Sequence, residues 1–285
     1  MRADYRAASA QAGVPDPVAR VEDLAISASH PTRTIAVRLY APASSAPLPV
    51  LVFAHGGGFA SGDLETHDVL ARTIARRAQA NVLVVDYRLA PEAPFPAGLH
   101  DVYAVLQWAA ENAAQIGGDP ARIAVGGDSA GGNLAAAAAL MARDQHGPRI
   151  VAQWLMYPML GVTQDTPSWR EHGATRFPTR DVIEQVLAAY APDPVLREEP
   201  LVAPVLAQLA GLPPALVQVG DLDPLLDEGR DYARRLVQAG VRAEAVVYPG
   251  QGHGFMQLYQ DGQQHALGEA AVDDGVAFLG TVFGR

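Results

Sequence analysis

The chain has 285 residues, a formal net charge of −10, 49% hydrophobic residues and 18% charged residues. This is the composition of a globular protein with a sizeable core, and its acidity disfavours nucleic acid as a partner, because phosphate binding needs a basic face. Cysteine is absent, which excludes disulfides, thiolate catalysis and cysteine-ligated zinc. The N-terminus lacks the apolar core of a signal peptide, and the most apolar run, residues 134–142, is too short to span a bilayer. We therefore expect no membrane partner and a cytoplasmic location.

Strand-like and helical patterns alternate along most of the chain. Residues 1–24 predict a short helix over Asp4–Gln11 followed by prolines, and residues 33–40 alternate apolar and polar side chains, as a half-exposed edge strand does. Runs that are apolar throughout predict strands covered on both faces, at residues 50–54, 82–85, 123–125 and 216–219. Two further strands are predicted at residues 152–157 and 243–248. Helical periodicity is found at residues 66–79, 99–110, 133–143, 181–190 and 227–238.

This alternation predicts a single α/β domain over residues 1–285, built on a mostly parallel sheet with right-handed crossovers. Residues 160–206 interrupt the alternation, being rich in proline around the helix predicted at 181–190. An excursion of this length between two core strands is typical of a cap, with an extra packing layer of no gating role as the alternative. Together with residues 1–24, this segment is predicted to form a helical cap.

The run Gly127–Gly131 holds a serine, Ser129, between a predicted strand and a predicted helix. That strand-turn-helix context is the one a nucleophile elbow requires. The turn is so sharp that its two flanking glycines must lack side chains, and it places Ser129 at the carboxyl end of the sheet, where α/β sheets bind ligands. Ser129 is therefore the candidate nucleophile.

A serine nucleophile needs a base and an orienting acid. His253 follows the strand predicted at 243–248 through a glycine-rich loop, which can aim its imidazole at a neighbouring strand end. The other histidines outside the glycine run near residue 55 are in settings typical of surface or capping residues: His30, His67, His100, His146, His172 and His265. Asp223 follows the strand predicted at 216–219, and spacing alone leaves Asp221 as an alternative acid. Asp227 and Glu228 are predicted to begin the next helix, where the dipole favours acids.

The run His55–Gly58 follows the buried strand predicted at 50–54. Its glycines allow successive backbone N–H groups to point into one space, where they can bind the negative oxygen of a tetrahedral intermediate. The predicted donors are Gly57, Gly58 and Ala130. A phosphate-binding loop is the alternative, but the Lys-Ser/Thr ending of a P-loop is missing. His55 is predicted to be structural.

With these motifs in place, the chain resembles the bacterial branch of the hormone-sensitive-lipase family of esterases. The segments Asp86–Glu92 and Asp223–Gly229 resemble that family's motifs, and the second favours Asp223 over Asp221. The resemblance implies an α/β-hydrolase fold, with a mostly parallel sheet of about eight strands, helices on both faces and a helical cap. It also implies a carboxylesterase for short acyl esters that needs no metal or cofactor. Asp128 and Glu92 would support the site from behind, with capping and surface-turn roles as the alternatives.

The family usually has a longer N-terminal stretch that forms part of the cap, so we expect a more open pocket mouth and looser alcohol selectivity. Five aromatic residues are candidates to line the pocket, although core packing is favoured for Trp154: Phe59, Trp154, Trp169, Phe177 and Phe255.

Similar motifs occur in amidases such as aryl-formamide hydrolases and in ligand receptors that have lost their base, the latter disfavoured here by an intact triad. The strand at 243–248 is a candidate edge for pairing in a homodimer.

Overall fold

The computed structural model describes residues 2–29, 32–161, 163–260 and 265–285. Its centre is a sheet of eight strands in the spatial order β1-β2-β4-β3-β5-β6-β7-β8. The strands are β1 (Arg20–Ser29), β2 (Thr32–Ala41), β3 (Leu48–Ala54), β4 (Asn81–Asp86), β5 (Gly118–Asp128), β6 (Ala152–Met156), β7 (Ala215–Gly220) and β8 (Ala243–Tyr248). The pairings β1–β2 and β2–β4 are antiparallel, and the other pairings are parallel. The predicted α/β-hydrolase fold with a mostly parallel sheet is confirmed.

Helices connect and cover these strands. They are α1 (Arg2–Ser9), α2 (Asp68–Ala78), α3 (Ala97–Asn112), α4 (Ala130–Asp144), α5 (Pro167–His172), α6 (Arg180–Tyr190), α7 (Leu226–Gln238) and α8 (Gly268–Val282). Short 3₁₀ helices lie at Ala113–Ile116, Pro194–Glu198 and Pro204–Leu206. In the described ranges, no helix combines the length and the apolar character that a membrane crossing requires.

The central strands are apolar on both faces because helices cover both. Every residue of β3 is buried, and so is every residue of β7. Helix α4 is buried from Ala130 to Ala142, and its alanines favour helix formation while keeping its surface narrow. The first turn of α4 can therefore lie close to the ends of β3 and β5, which positions Ser129 at the carboxyl edge of the sheet.

The two edges of the sheet differ in how they match the sequence predictions. The sequence predicts an edge strand at residues 33–40, but β1 pairs with β2 along its length and covers that edge. The sequence does not predict strand β1, because few of its side chains are buried, Ile26 and Ala28 among them. Its alternation of apolar and polar residues is therefore weak. Strand β8 does lie at the opposite edge, as predicted, and pairing of two copies there stays a prediction.

The two segments expected to form the cap both lie over the oxyanion run. Helix α6 buries Val186 and Tyr190, and the Tyr190 ring stacks on Phe59 with centroids 3.7 Å apart. On α1, Arg2 donates hydrogen bonds to the carbonyl oxygens of Ala60 (2.7 Å) and Ala90 (3.0 Å). Both cap segments therefore contact the chain that follows the glycine run.

Candidate active site

Ser129 lies in a strained turn between β5 and α4. Its backbone angles are φ 55° and ψ −118°, in a region that residues other than glycine rarely adopt. A Cβ atom at Gly127 would collide with the carbonyl oxygen of Gly131, and one at Gly131 would collide with that of Ala54. Both glycines are therefore required for β3, β5 and α4 to come this close, as the sequence predicts.

His253 and Asp223 lie in line with Ser129. Nε2 of His253 is 2.8 Å from Oγ of Ser129, and Nδ1 is 2.7 Å from Oδ2 of Asp223. The Asp223 carboxylate is fully buried, and its other oxygen accepts a hydrogen bond from the Leu225 N–H at 2.9 Å. An ionised carboxylate only accepts, so Nδ1 carries the imidazole proton and Nε2 faces the serine hydroxyl as an acceptor. This arrangement can remove the serine proton.

The alternative acid, Asp221, takes no part in this line. It accepts a hydrogen bond from the Gly250 N–H at 2.7 Å and so shapes the turn that leads to His253. The two acids at the start of α7 bind the cap segment, since Asp227 accepts from the Ser168 N–H and Glu228 from the Leu160 N–H, each at 2.8 Å. Burial raises the pKa of Glu228 to about 8.

The glycine run presents unused backbone donors to a cavity. Gly57 and Gly58 have φ angles of 120° and 62°, and both line the cavity above Ser129. Ala130 is the first residue of α4, where an N–H has no acceptor within the helix. Among the hydrogen bonds of the described residues, none uses the N–H of Gly57, Gly58 or Ala130. These groups are therefore free to donate to a bound oxygen.

The loop is held from behind by buried side chains. Gly56 N–H donates to Oδ1 of Asp128 at 2.7 Å, and its carbonyl oxygen lies 2.8 Å from Nδ1 of His55. The Tyr87 hydroxyl donates to the His55 carbonyl at 2.7 Å, and the two rings stack at 4.3 Å. Burial, together with the charge of nearby His67, lowers the pKa of His55 to about 4. His55 is therefore a neutral structural residue that holds the loop.

The two acids expected behind the site are placed differently. Burial works to raise the pKa of Asp128, but the charge of nearby His67 and the hydrogen bond from the Gly56 N–H outweigh it, so the pKa is lowered overall. Asp128 is thus an ionised support for the loop. Glu92 is instead exposed, with 65% of its side chain accessible, and pairs with Arg2 at 2.6 Å. It holds α1 rather than the catalytic groups, so the surface alternative fits it.

A cavity of about 510 Å³ opens above Ser129, with mostly apolar walls. Helix α6 supplies one wall through Val182, Gln185, Val186 and Ala189. Of the five candidate aromatics, Phe177 lines the cavity; the other four are buried in the core: Phe59, Trp154, Trp169 and Phe255. The expectation for Phe59, Trp169 and Phe255 as pocket residues is wrong, because their side chains are at most 2% exposed. Trp154 is buried in the core, which is the alternative that the sequence favours for it.

Helix α1 supplies a second wall through Asp4 and Tyr5. The Tyr5 hydroxyl donates to Oε1 of Gln257 at 3.0 Å, which ties α1 to the loop after His253. The short helix predicted at the N-terminus thus forms part of the pocket. The looser alcohol selectivity expected for this chain stays a prediction.

Sequence reasoning missed two residues at the site. His67 is the N-cap residue of α2, so the capping alternative fits its position, although its side chain makes no cap hydrogen bond. It is fully buried, with Nε2 2.9 Å from Oδ1 of Asp128, so the surface alternative is wrong. Tyr157 follows β6 with a positive φ of 35°, and its ring lies 4.9 Å from that of His253. Neither has a local signal, since each acts on a residue far away in the chain.

Comparison with known proteins agrees with this architecture. A sequence model of the α/β-hydrolase fold matches residues 51–257. Carboxylesterase NlhH of Mycobacterium tuberculosis is 45% identical over 247 residues, which cover 85% of this chain and 77% of the relative. Carboxylic ester hydrolase LipN of the same organism is 42% identical over 262 residues, covering 90% and 70%.

Solved structures agree as well. The esterase of Pyrobaculum calidifontis superposes with a TM-score of 0.93 at 39% identity, covering 100% of this chain and 93% of that one. The thermostable carboxylesterase EstE1 from a metagenomic library gives a TM-score of 0.93 at 38% identity, covering 100% and 95%. These likenesses extend well beyond the catalytic motifs, and the chain belongs to the α/β-hydrolase fold family, in its hormone-sensitive-lipase-like branch.

Proposed function

We propose that this protein is a carboxylesterase that hydrolyses short-chain acyl esters through a covalent acyl-enzyme. The family and its esterase relatives identify a carboxylic-ester hydrolase. The observation that supports the mechanism is the continuous line from Ser129 through His253 to Asp223, with contacts of 2.8 and 2.7 Å.

In the first half-reaction, the Ser129 hydroxyl attacks the ester carbonyl carbon while Nε2 of His253 takes its proton. The carbonyl oxygen becomes negative and accepts hydrogen bonds from the N–H groups of Gly57, Gly58 and Ala130. Asp223 fixes the imidazole tautomer and stabilises the imidazolium. The tetrahedral intermediate collapses, His253 returns the proton to the alkoxide, and the alcohol leaves.

Water then repeats these steps on the acyl-enzyme. His253 removes a proton from water, the hydroxide adds to the acyl carbon, and the same N–H groups bind the second oxyanion. Ser129 leaves with the proton from His253, and the carboxylic acid is released. The mostly apolar cavity of about 510 Å³ can accept the acyl group, and the preference for short chains rests on the resemblance to esterases.

Substitution of the nucleophile tests this mechanism. We expect Ser129→Ala to lower kcat for p-nitrophenyl butyrate by about 10⁴-fold or more, and a Ser129→Ala/His253→Ala double variant to be little worse. Ser44→Ala, on an exposed turn, is the matched control and should retain full activity. Substantial turnover by the Ser129→Ala variant would refute the assignment.

Substrate class is tested with a series of p-nitrophenyl esters from acetate to palmitate, alongside matched anilides. We expect the highest kcat/KM at short acyl chains and slower amide cleavage. Preference for palmitate would indicate a lipase, and preference for anilides or formamides would indicate an amidase. Stoichiometric phosphorylation of Ser129 by an organophosphate would exclude a receptor without catalytic activity.

A further inference from the structure

A buried histidine and aspartate next to the nucleophile have no part in the proton transfers above. His67 is fully buried at the start of α2, and Asp128 directly precedes Ser129 in the chain. Nε2 of His67 lies 2.9 Å from Oδ1 of Asp128, at an angle outside that of a well-aligned hydrogen bond. The contact is therefore mainly electrostatic, and its strength depends on the charge of His67.

The contacts of Thr66 and Asp128 favour a proton on each nitrogen of the His67 ring. The Thr66 hydroxyl donates to the Asp63 carbonyl oxygen at 2.8 Å and accepts from the Asp63 N–H at 3.0 Å. A hydroxyl has one proton, so the contact at 2.9 Å between Thr66 Oγ1 and His67 Nδ1 requires the ring to donate. On the other side of the ring, Nε2 lies 2.9 Å from Oδ1 of Asp128, an oxygen that also accepts from the Gly56 N–H, and a proton on Nε2 makes this short contact attractive.

The other groups that face His67 are compatible with a positive charge there. The rings of His55 (5.6 Å), Phe53 (6.2 Å) and Tyr5 (6.5 Å) surround it. His55 is neutral, because its pKa is lowered to about 4. Asp128 is the carboxylate in contact with the ring and balances the charge.

The reaction gives a reason for this ion pair. Asp128 borders the cavity, and an uncompensated carboxylate there would oppose the negative oxygen that forms during acyl transfer. The same carboxylate also binds the Gly56 N–H, so its position sets that of the next two residues, Gly57 and Gly58. A cation on the far side of Asp128 reduces the repulsion and fixes the carboxylate.

We propose that His67 is a positioning residue: a buried imidazolium that neutralises Asp128 and thereby holds the oxyanion loop in its catalytic geometry. The kinetic part of this proposal rests on the proposed ester hydrolysis. The protonation state of His67 does not, and can be measured on the resting protein.

Nitrogen NMR of the chain labelled with ¹⁵N-histidine measures that protonation state. The His67 signals are assigned by their loss in His67→Gln. We expect both ring nitrogens of His67 to be protonated at pH 7, and one of them to lose its proton in Asp128→Asn, which removes the compensating charge. A neutral His67 ring in the wild-type protein at pH 7 would overturn the proposal, whether or not the protein hydrolyses esters.

Kinetics test the link to the oxyanion. Because glutamine keeps a donor near Nε2 without the charge, we expect His67→Gln to lower kcat about 10- to 100-fold, less than the loss of a direct oxyanion donor. KM should change less than about threefold, while binding of a trifluoromethyl ketone that mimics the tetrahedral intermediate weakens by the same factor as kcat.

Two comparisons separate positioning from a general loss of structure. His172→Gln, a partly exposed histidine in α5, should change neither kcat nor inhibitor affinity. His67→Gln should cost little further activity in an Asp128→Asn background, because the pair acts as one unit. A His67→Gln variant that folds and keeps wild-type kcat, or that changes KM alone, would contradict the proposal. Failure of the wild-type enzyme on every ester would instead contradict the proposed function.

Discussion

Replacing Glu228 by glutamine tests how burial of a carboxyl group affects stability. The side chain is 6% exposed and accepts a hydrogen bond from the Leu160 N–H at 2.8 Å. Burial raises its pKa from 4.5 to about 8. The folded protein therefore holds this proton at pH values where the unfolded chain has lost it.

The sign of the pH dependence follows from that difference. When the folded state binds more protons than the unfolded state, the free energy of unfolding falls as pH rises. The contribution of Glu228 is fully present below the unfolded pKa of 4.5 and is lost as pH rises to about 8. The difference between the two pKa values corresponds to a loss of up to about 5 kcal/mol. Glutamine keeps the acceptor oxygen for Leu160 and cannot ionise, so Glu228→Gln should not show this loss.

Urea unfolding at pH 5, 7 and 9, followed by circular dichroism, measures the effect. We expect the two proteins to differ by less than about 1 kcal/mol at pH 5, with the variant more stable by several kcal/mol at pH 9. Glu111→Gln, an exposed glutamate of α3, should follow the wild type at every pH. If wild type and Glu228→Gln lose stability in parallel between pH 5 and 9, the buried carboxyl is not the cause and the reasoning fails.

Two further substitutions test the elbow and the pocket. Gly131→Ala places a Cβ atom against the carbonyl oxygens of Ala54 and His55, so kcat measured in initial-rate assays should fall by at least about 10²-fold. Its control is Gly280→Ala in α8, which has open space around it and should leave kcat unchanged. Val186→Ala removes two methyl groups from the pocket wall, so kcat/KM for the hexanoate ester relative to the acetate ester should rise about 3- to 10-fold. The control is Val195→Ala, at a residue that is 72% exposed. An unchanged ratio in Val186→Ala would show that Val186 does not limit acyl length.

The sequence predicts that Ser129, His253 and Asp223 lie together because each follows a strand of the sheet. Ser129 follows β5, Asp223 follows β7 and His253 follows β8 through a loop, and parallel strands end at one edge of the sheet. The choice between Asp221 and Asp223 depends on a longer family motif, since two carboxylates two residues apart satisfy the same spacing. The structure separates them by their partners, Gly250 for one and His253 for the other.

Features that depend on distant contacts are not predictable in this way. His67 looks like an ordinary residue at a helix start, and only the tertiary fold brings it within 2.9 Å of Asp128 at the end of β5. Strand β1 has few buried side chains, so its place in the sheet depends on pairing with β2 more than on its own pattern. Aromatic residues near the motifs suggest a pocket, but Trp154 donates to Gln218 inside the core at 2.6 Å.

The turn from Asp223 to Glu228 joins the proposed catalytic acid to Leu160 and Ser168, at the start of the cap segment 160–206. Within these six positions, Asp223 binds His253, Asp227 binds Ser168, and Glu228 binds Leu160. A displacement of the cap segment near Leu160 and Ser168 would therefore also displace Asp223 and, through their contact, His253. Enzyme engineers can treat the pocket face of α6 as adjustable, whereas changes where the cap leaves the sheet should reduce turnover of every substrate alike.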